Sequence, residues 1–217
     1  MTFSNECHRR SSLTNTSRTL ISTCLSALLL TAGCSGLQVG RDAQAGRSAL
    51  QTGRPEDAII YLSRAAESDP NYKLSTKAQE SVLTYLGRAY YETGDDTKAR
   101  AVLERALTND NNDYLARLYL GLTLYRSVDR ERGRKEIGAG LNGIHAWLDE
   151  VTSDSVYGIY WDPNRSMRLA IERTLAGKPE AGELTASAQR IGRQFDSEID
   201  RARQTESQSI YQQGGKN

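Results

Sequence analysis

The chain is predicted to be all-α, a helix-turn-helix solenoid of about three repeats closed by a C-terminal helical cap. Three observations predict this. Small and large apolar residues recur in phase with a period of about 34 residues, over 39–72, 80–113 and 114–147. Turn residues divide each unit into two helical halves: Gly53 in the first, Gly94-Asp95 in the second, Asp129 in the third. Near the C-terminus, Leu184, Ala188, Ile191, Phe195, Ile199 and Ala202 follow one another at steps of 4, 3, 4, 4 and 3, the apolar face of a single helix. With 38% hydrophobic and 25% charged residues, the chain has the material for a packed domain.

Residues 1–33 stand apart. Arg9, Arg10 and Arg18 precede an uncharged run from Leu20 to Ala32 that ends on small residues, the outline of a cleaved export leader. That run is too short for a membrane core, which needs about 20 helical residues. Leu29-Leu30-Thr31-Ala32-Gly33-Cys34 resembles the lipobox of bacterial lipoproteins, with Thr31 where leucine is commonest. The resemblance implies cleavage before Cys34 and acylation of its thiol and new amino terminus. More than one chain matters, because a single acyl chain anchors only marginally. Arg9-Arg10 also suits twin-arginine export, but Ser11-Ser12-Leu13 fits that motif poorly, so the general secretion route is expected. Ser35 is not the aspartate that signals inner-membrane retention in such lipoproteins, which points to the periplasmic face of the outer membrane.

Cys7 and Cys24 leave with the leader, so no disulfide forms within the processed chain. Processing also removes the three arginines and Glu6, leaving 25 basic against 26 acidic residues. That balance lacks the basic footprint of a nucleic-acid binder. Residues 34–38 then form a short lipidated tether.

The clearest repeat is 80–113, with Leu83, Leu86, Gly87, Tyr90, Ala99, Leu103 and Ala106 at the pattern positions and Asn111 in place of a terminal proline. Residues 114–147 follow without a gap and carry Leu120, Gly121, Leu124, Ile137 and Gly140, with Arg117 and Gly133 as departures. Residues 39–72 supply Ala45, Gly46, Ala49, Gly53, Ala58, Leu62, Ala65 and Pro70. Small residues let paired helices approach while large ones fill the gaps, and neighbouring pairs must stack to cover their apolar faces. This pattern resembles the tetratricopeptide repeat family over residues 39–147; an unrelated helical bundle is the alternative. An insertion, Lys73 to Gln79, separates the first two units.

Residues 148–211 form a helical extension. Val151 to Asp162 reads as an irregular connection, with Tyr157, Tyr160 and Trp161 sealing a core edge or forming a recognition patch. Pro163 suits the start of a short helix over Asn164 to Ala176, which Gly177 and Pro179 end. The long helix from Glu183 to about Tyr211 is expected to cap the open end of the solenoid, with a dimeric coiled coil as the alternative. Residues 212–217 read as a frayed tail.

The family resemblance implies a concave groove, lined by the first helix of each pair, that binds peptides or extended protein segments. Mapped onto this chain it contains Arg47, then Arg88, Tyr91 and Glu92, then Leu122, Tyr125 and Arg126. Arginines beside tyrosines suit a carboxylate packed next to apolar surface. Arg47, Arg88, Tyr91, Tyr125 and Arg126 are therefore the candidate protein-binding residues, with Cys34 as the lipidation site.

Other chemistries are not expected. Gly138-Ala139-Gly140-Leu141-Asn142-Gly143 satisfies G-x-G-x-x-G but falls within a helix with no strand before it, so it is not read as a dinucleotide site. His145 is the one histidine outside the leader and has no cysteine partner for zinc, nor an assignable catalytic triad. No catalytic residue, metal or cofactor is assigned. The expected role is a non-enzymatic, lipid-anchored scaffold for an envelope protein or peptide, with a homo-oligomer joined through the C-terminal helix as the alternative.

Overall fold

The computed structural model describes residues 36–74, 78, 80–127, 129–154, 158–177 and 180–214. Residues 1–33, read above as a leader, together with Cys34, Ser35 and Tyr157, lie outside them. Among the described residues the backbone is helical, apart from turns and an isolated antiparallel bridge between Lys73 and Ser81.

Three helix pairs follow one another: α1 (36–51) with α2 (Pro55–Ser68), α3 (Val82–Thr93) with α4 (Asp96–Asn109), and α5 (Tyr114–Arg126) with α6 (Arg130–Asp154). Their boundaries have local causes. Pro55 opens α2, where its missing N–H costs nothing. The side chains of Ser81, Asp95 and Asp113 accept hydrogen bonds from the amides of Thr84, Lys98 and Ala116, capping α3, α4 and α5. Gly94, at φ 85°, ends α3 in the left-handed conformation and turns the chain into α4.

The same contact recurs in each pair. A Cβ on Gly46 would lie 2.4 Å from Leu62 Cγ, one on Gly87 2.4 Å from Leu103 Cγ, and one on Gly121 2.4 Å from the Ile137 amide nitrogen. The repeated glycine marks where the second helix crosses the first, so the in-phase spacing is a packing repeat. In the third pair the neighbour is backbone because Gly133 and Gly140 on α6 also lie against α5. Of the G-x-G-x-x-G glycines, Gly140 and Gly143 make close contacts within this interface, whereas Gly138 faces open space. The stacked pairs form the solenoid.

The residues flanking the insertion after the first unit are held together by the Lys73–Ser81 bridge, with the Leu74 amide donating to the Glu80 carbonyl at 3.0 Å; 75–77 and 79 lie outside the described residues. Helix α6 continues about two turns past Trp147, since Leu148 is fully buried and Val151 packs on the core. A short 3₁₀ turn, Gly158–Tyr160, leads to α7 (Ser166–Ala176) and then α8 (Ala181–Gly214). Helix α7 begins after Asn164 because Asp162 and Arg165 have φ of 41° and 53°, and the Asp162 carboxylate accepts from the amides of Met167 and Arg168.

Helix α8 covers more than the end of the last repeat. Its stripe from Leu184 to Ala202 is buried, and it runs along the inner faces of α1, α3 and α5, reaching Arg47, Tyr85, Tyr91 and Tyr119. Trp161 is buried and meets Trp147 edge-on at 4.9 Å, while Phe195 meets the same ring at 5.5 Å. These three rings join α6, the 158–165 connection and α8.

Candidate functional site

The inner face of the repeats is built from the first helix of each pair, where one side must stay small or apolar for stacking and the other is free to carry polar groups. Arg47 on α1 and Arg88 on α3 occupy the ninth position of their units, so the repeat places two guanidinium groups on the same face. The third unit has Leu122 there.

Both arginines are buried and converge on one carboxylate. Arg47 donates to Asp196 Oδ1 from Nε at 2.8 Å and lies 2.6 Å from it through Nη2, while Nη1 reaches Asp200 Oδ1 at 2.6 Å. Arg88 Nη1 lies 3.3 Å from Asp196 Oδ2, and its Nε donates to Glu92 Oε1 at 2.8 Å. The Tyr85 hydroxyl accepts from Arg47 Nε and donates to Asp196 Oδ1 at 2.9 Å. Gln51 donates to both aspartates, at 3.3 Å to Asp196 and 2.8 Å to Asp200. Asp196 thus receives five hydrogen bonds or ion-pair contacts although it is only 2% exposed.

Burial opposes the charge on Arg47, but Tyr85, Asp196 and Asp200 outweigh it and hold the guanidinium firmly protonated. Arg88 behaves the same way, with Tyr119, Glu92 and Asp196 overcoming burial. A buried charge is stable only when paired and hydrogen-bonded. Removing Asp196 would take away the carboxylate the two arginines share, leaving Arg47 with Asp200 and Arg88 with Glu92.

The other predicted residues lie apart from this cluster. Tyr91 is buried, and its hydroxyl accepts from Gln189 of α8. Arg126 stacks over the Tyr91 ring at 4.1 Å, donates to the Tyr91 carbonyl at 2.7 Å and grips Asp96 with its fork. Tyr125 sits on the α6 side, where its backbone lies against Gly133 and Arg134 lies 5.9 Å from its ring. Leu122 is fully buried. Cys34 lies outside the described residues.

As the chain is folded, Arg47, Arg88 and Tyr91 face its own helix α8 and not open solvent. The carboxylate that two arginines and a tyrosine hold is an internal one. Sequence reasoning missed Asp196, Asp200, Tyr85 and Gln51. One signal was present: Asp196 and Asp200 are spaced i, i+4, so they share a helix face, and Asp196 directly follows the core residue Phe195.

Among the described residues, no group of three or more His, Cys, Asp or Glu side chains is placed to hold a metal, and no helix is long and apolar enough to cross a membrane. His145 stands between Asp149 and Glu172, at 3.2 and 3.0 Å.

A family model described as tetratricopeptide repeat matches residues 49–122, from the end of α1 into α5. No curated protein and no solved structure matches the chain. Residues 49–122 are thus similar to the tetratricopeptide repeat, a unit that generally mediates protein–protein interaction and is typically without enzymatic activity.

Proposed function

We propose that this tetratricopeptide-repeat protein is a non-enzymatic interaction scaffold or assembly factor of the bacterial cell envelope, anchored by lipid on Cys34 and holding a peptide or protein segment on the concave face of its repeats. One observation carries the reading: that face already holds a helix, through an apolar trough and a buried clamp of Arg47, Arg88 and Tyr85 on a carboxylate. A surface that recognises an amphipathic helix in this way suits the capture of helical or extended segments. The arginine-led leader, the Leu29 to Cys34 box and Ser35 support placement at the periplasmic face of the outer membrane. The partner is then an envelope protein or peptide. Burial of the Leu184 to Ala202 stripe within the chain's own fold weighs against the alternative of a homo-oligomer joined through the C-terminal helix.

Two measurements test this. Cys34→Ser should abolish membrane association and leader processing; unchanged fractionation would remove the lipid anchor from the reading. A photo-crosslinker at Glu92 should give a discrete envelope-protein adduct that Arg88→Ala abolishes. An adduct indifferent to that substitution would move the binding surface elsewhere.

A further inference from the structure

Two buried side chains on the inner face keep polar atoms without a hydrogen-bond partner: both carboxyl oxygens of Glu80 and the Tyr119 hydroxyl. Tyr119 lies beneath α8, and Glu80 lies beside the cluster that Asp196 of α8 closes. Gly192 of α8 passes directly over Tyr119, where a Cβ would lie 3.2 Å from the hydroxyl. Glu80, 1% exposed, is within electrostatic range of Asp196, Arg47, Tyr85 and Asp113.

The Glu80 position is informative because of what its neighbours are doing. Arg47 directs its donors to Tyr85, Asp196 and Asp200. Tyr85 has one proton to donate and gives it to Asp196. Glu80 and Asp196 are thus two carboxyl groups competing for the same arginine and phenol, and α8 supplies the winner. Burial, and then the charge of Asp196, push the Glu80 acid well above the ordinary carboxylate range, while Arg47 and then the nearby Tyr85 hydroxyl pull it back.

We propose that α8 is a releasable latch over the concave face, and that Arg47 is its exchangeable element, paired with Asp196 when the latch is shut and with Glu80 when it is open. A buried polar group left unsatisfied is costly and is the exception in native folds. Among the described residues the unsatisfied side chains are Tyr119, which α8 covers, and Glu80, beside the cluster that α8 closes, so undocking the helix hydrates Tyr119 and frees Arg47 for Glu80. The open face then accepts a helix of the same chemistry from a partner protein: apolar residues at steps of three and four, with an aspartate or glutamate directly after an aromatic anchor, as at Phe195-Asp196. This inference rests on the reading that partners bind the concave face, and it adds that they do so by displacing α8.

The test is amide hydrogen exchange on the purified protein, with a fluorescent peptide of residues 184–203 as the probe of an open face. Asp196→Asn should speed exchange in α8 at least tenfold while α3 to α5 stay protected, and should allow the peptide to bind where the unaltered protein excludes it. A peptide that itself carries Asp196→Asn should bind at least tenfold more weakly. Glu80→Gln keeps the shape of the acid but cannot pair with Arg47 as an anion, so it should slow exchange in α8 several-fold and leave other helices unchanged. Unchanged or faster exchange in α8 of Glu80→Gln would overturn the proposal. So would loss of protection in α3 to α5 together with α8 in Asp196→Asn, which would make α8 an integral part of the core. No external partner enters this experiment, so the latch can fail while the crosslinking of an envelope protein succeeds, and the reverse.

Discussion

Asp113 offers the sharpest test of the electrostatics inside the repeats. It caps α5, accepting from the Ala116 amide at 2.9 Å and from the Thr84 hydroxyl, and it is 1% exposed. Burial raises its pKa from 3.8 to about 6, against the pull of its hydrogen bonds to Thr84, Ala116 and Ser81. The folded state therefore binds this proton more tightly than the unfolded chain. Below pH ~4 the group is protonated in both states and contributes no slope. Between pH ~4 and ~6 the unfolded chain releases the proton while the fold retains it, so stability falls as pH rises, by up to ~1.4 kcal/mol per unit. Above pH ~6 both states are ionised and a penalty of about 3 kcal/mol has accumulated.

Asp113→Asn removes the titration and keeps the cap, because the amide oxygen still accepts from Ala116. The amide nitrogen then faces Thr84, which turns its proton to Ser81 Oγ, 2.9 Å away. Urea unfolding followed by circular dichroism from pH 4 to 7 should show the variant near the unaltered protein at pH 4 and more stable by about 2–3 kcal/mol at pH 7. Glu80 titrates in the same direction in both proteins, and Asp113→Asn removes only a minor part of the upward push on it, which comes first from burial and then from Asp196. Parallel stability curves for the two proteins across this range would refute the assigned origin of the shift.

Other perturbations follow from the packing. Gly87→Ala puts a Cβ 2.4 Å from Leu103 Cγ, in a fully buried contact, and should cost ~1–3 kcal/mol in urea unfolding. Combined with Leu103→Ala, the loss should fall clearly below the sum of the single losses, since the second change clears the space the first one needs. Phe195→Ala removes a ring packed on Trp147 and should cost ~3–5 kcal/mol, with a loss of near-ultraviolet tryptophan signal. Arg126→Ala should cost under ~1 kcal/mol by thermal melting, because its pair with Asp96 is partly solvated and the arginine covers the Tyr91 ring from the solvent side, with its own side chain 39% exposed.

Much of the repeat was legible because it is governed by spacing. The glycine at position eight of a unit and the leucine or isoleucine sixteen residues later predict a contact, and Gly46 with Leu62 and Gly87 with Leu103 make it. Capping by Ser81, Asp95 and Asp113 is equally local. The apolar stripe of α8 was legible as a helix face, but periodicity states only that a face is buried and not what buries it. The route of α8 along α1, α3 and α5 depends on the corner at Asp162 and on ion pairs between residues far apart in sequence. The arginines at the ninth positions were visible as groove residues. The carboxylate they hold was not, because an aspartate beside a core phenylalanine reads as surface until its partners are placed.

The tie between Arg47 and Asp196 spans 149 residues. In an ordinary repeat array each unit touches only its neighbours, so terminal units fray and unfolding proceeds inward from either end. Here the first unit is bonded to the last helix of the chain, which makes the array a noncovalent ring. Melting the first pair breaks the clamp and with it the hold of α8 on the inner face, so fraying at the first unit is coupled to release of α8, while the pairs between them keep their own stacking. The same closure delays folding, since a contact at that separation can form only after the intervening repeats have assembled.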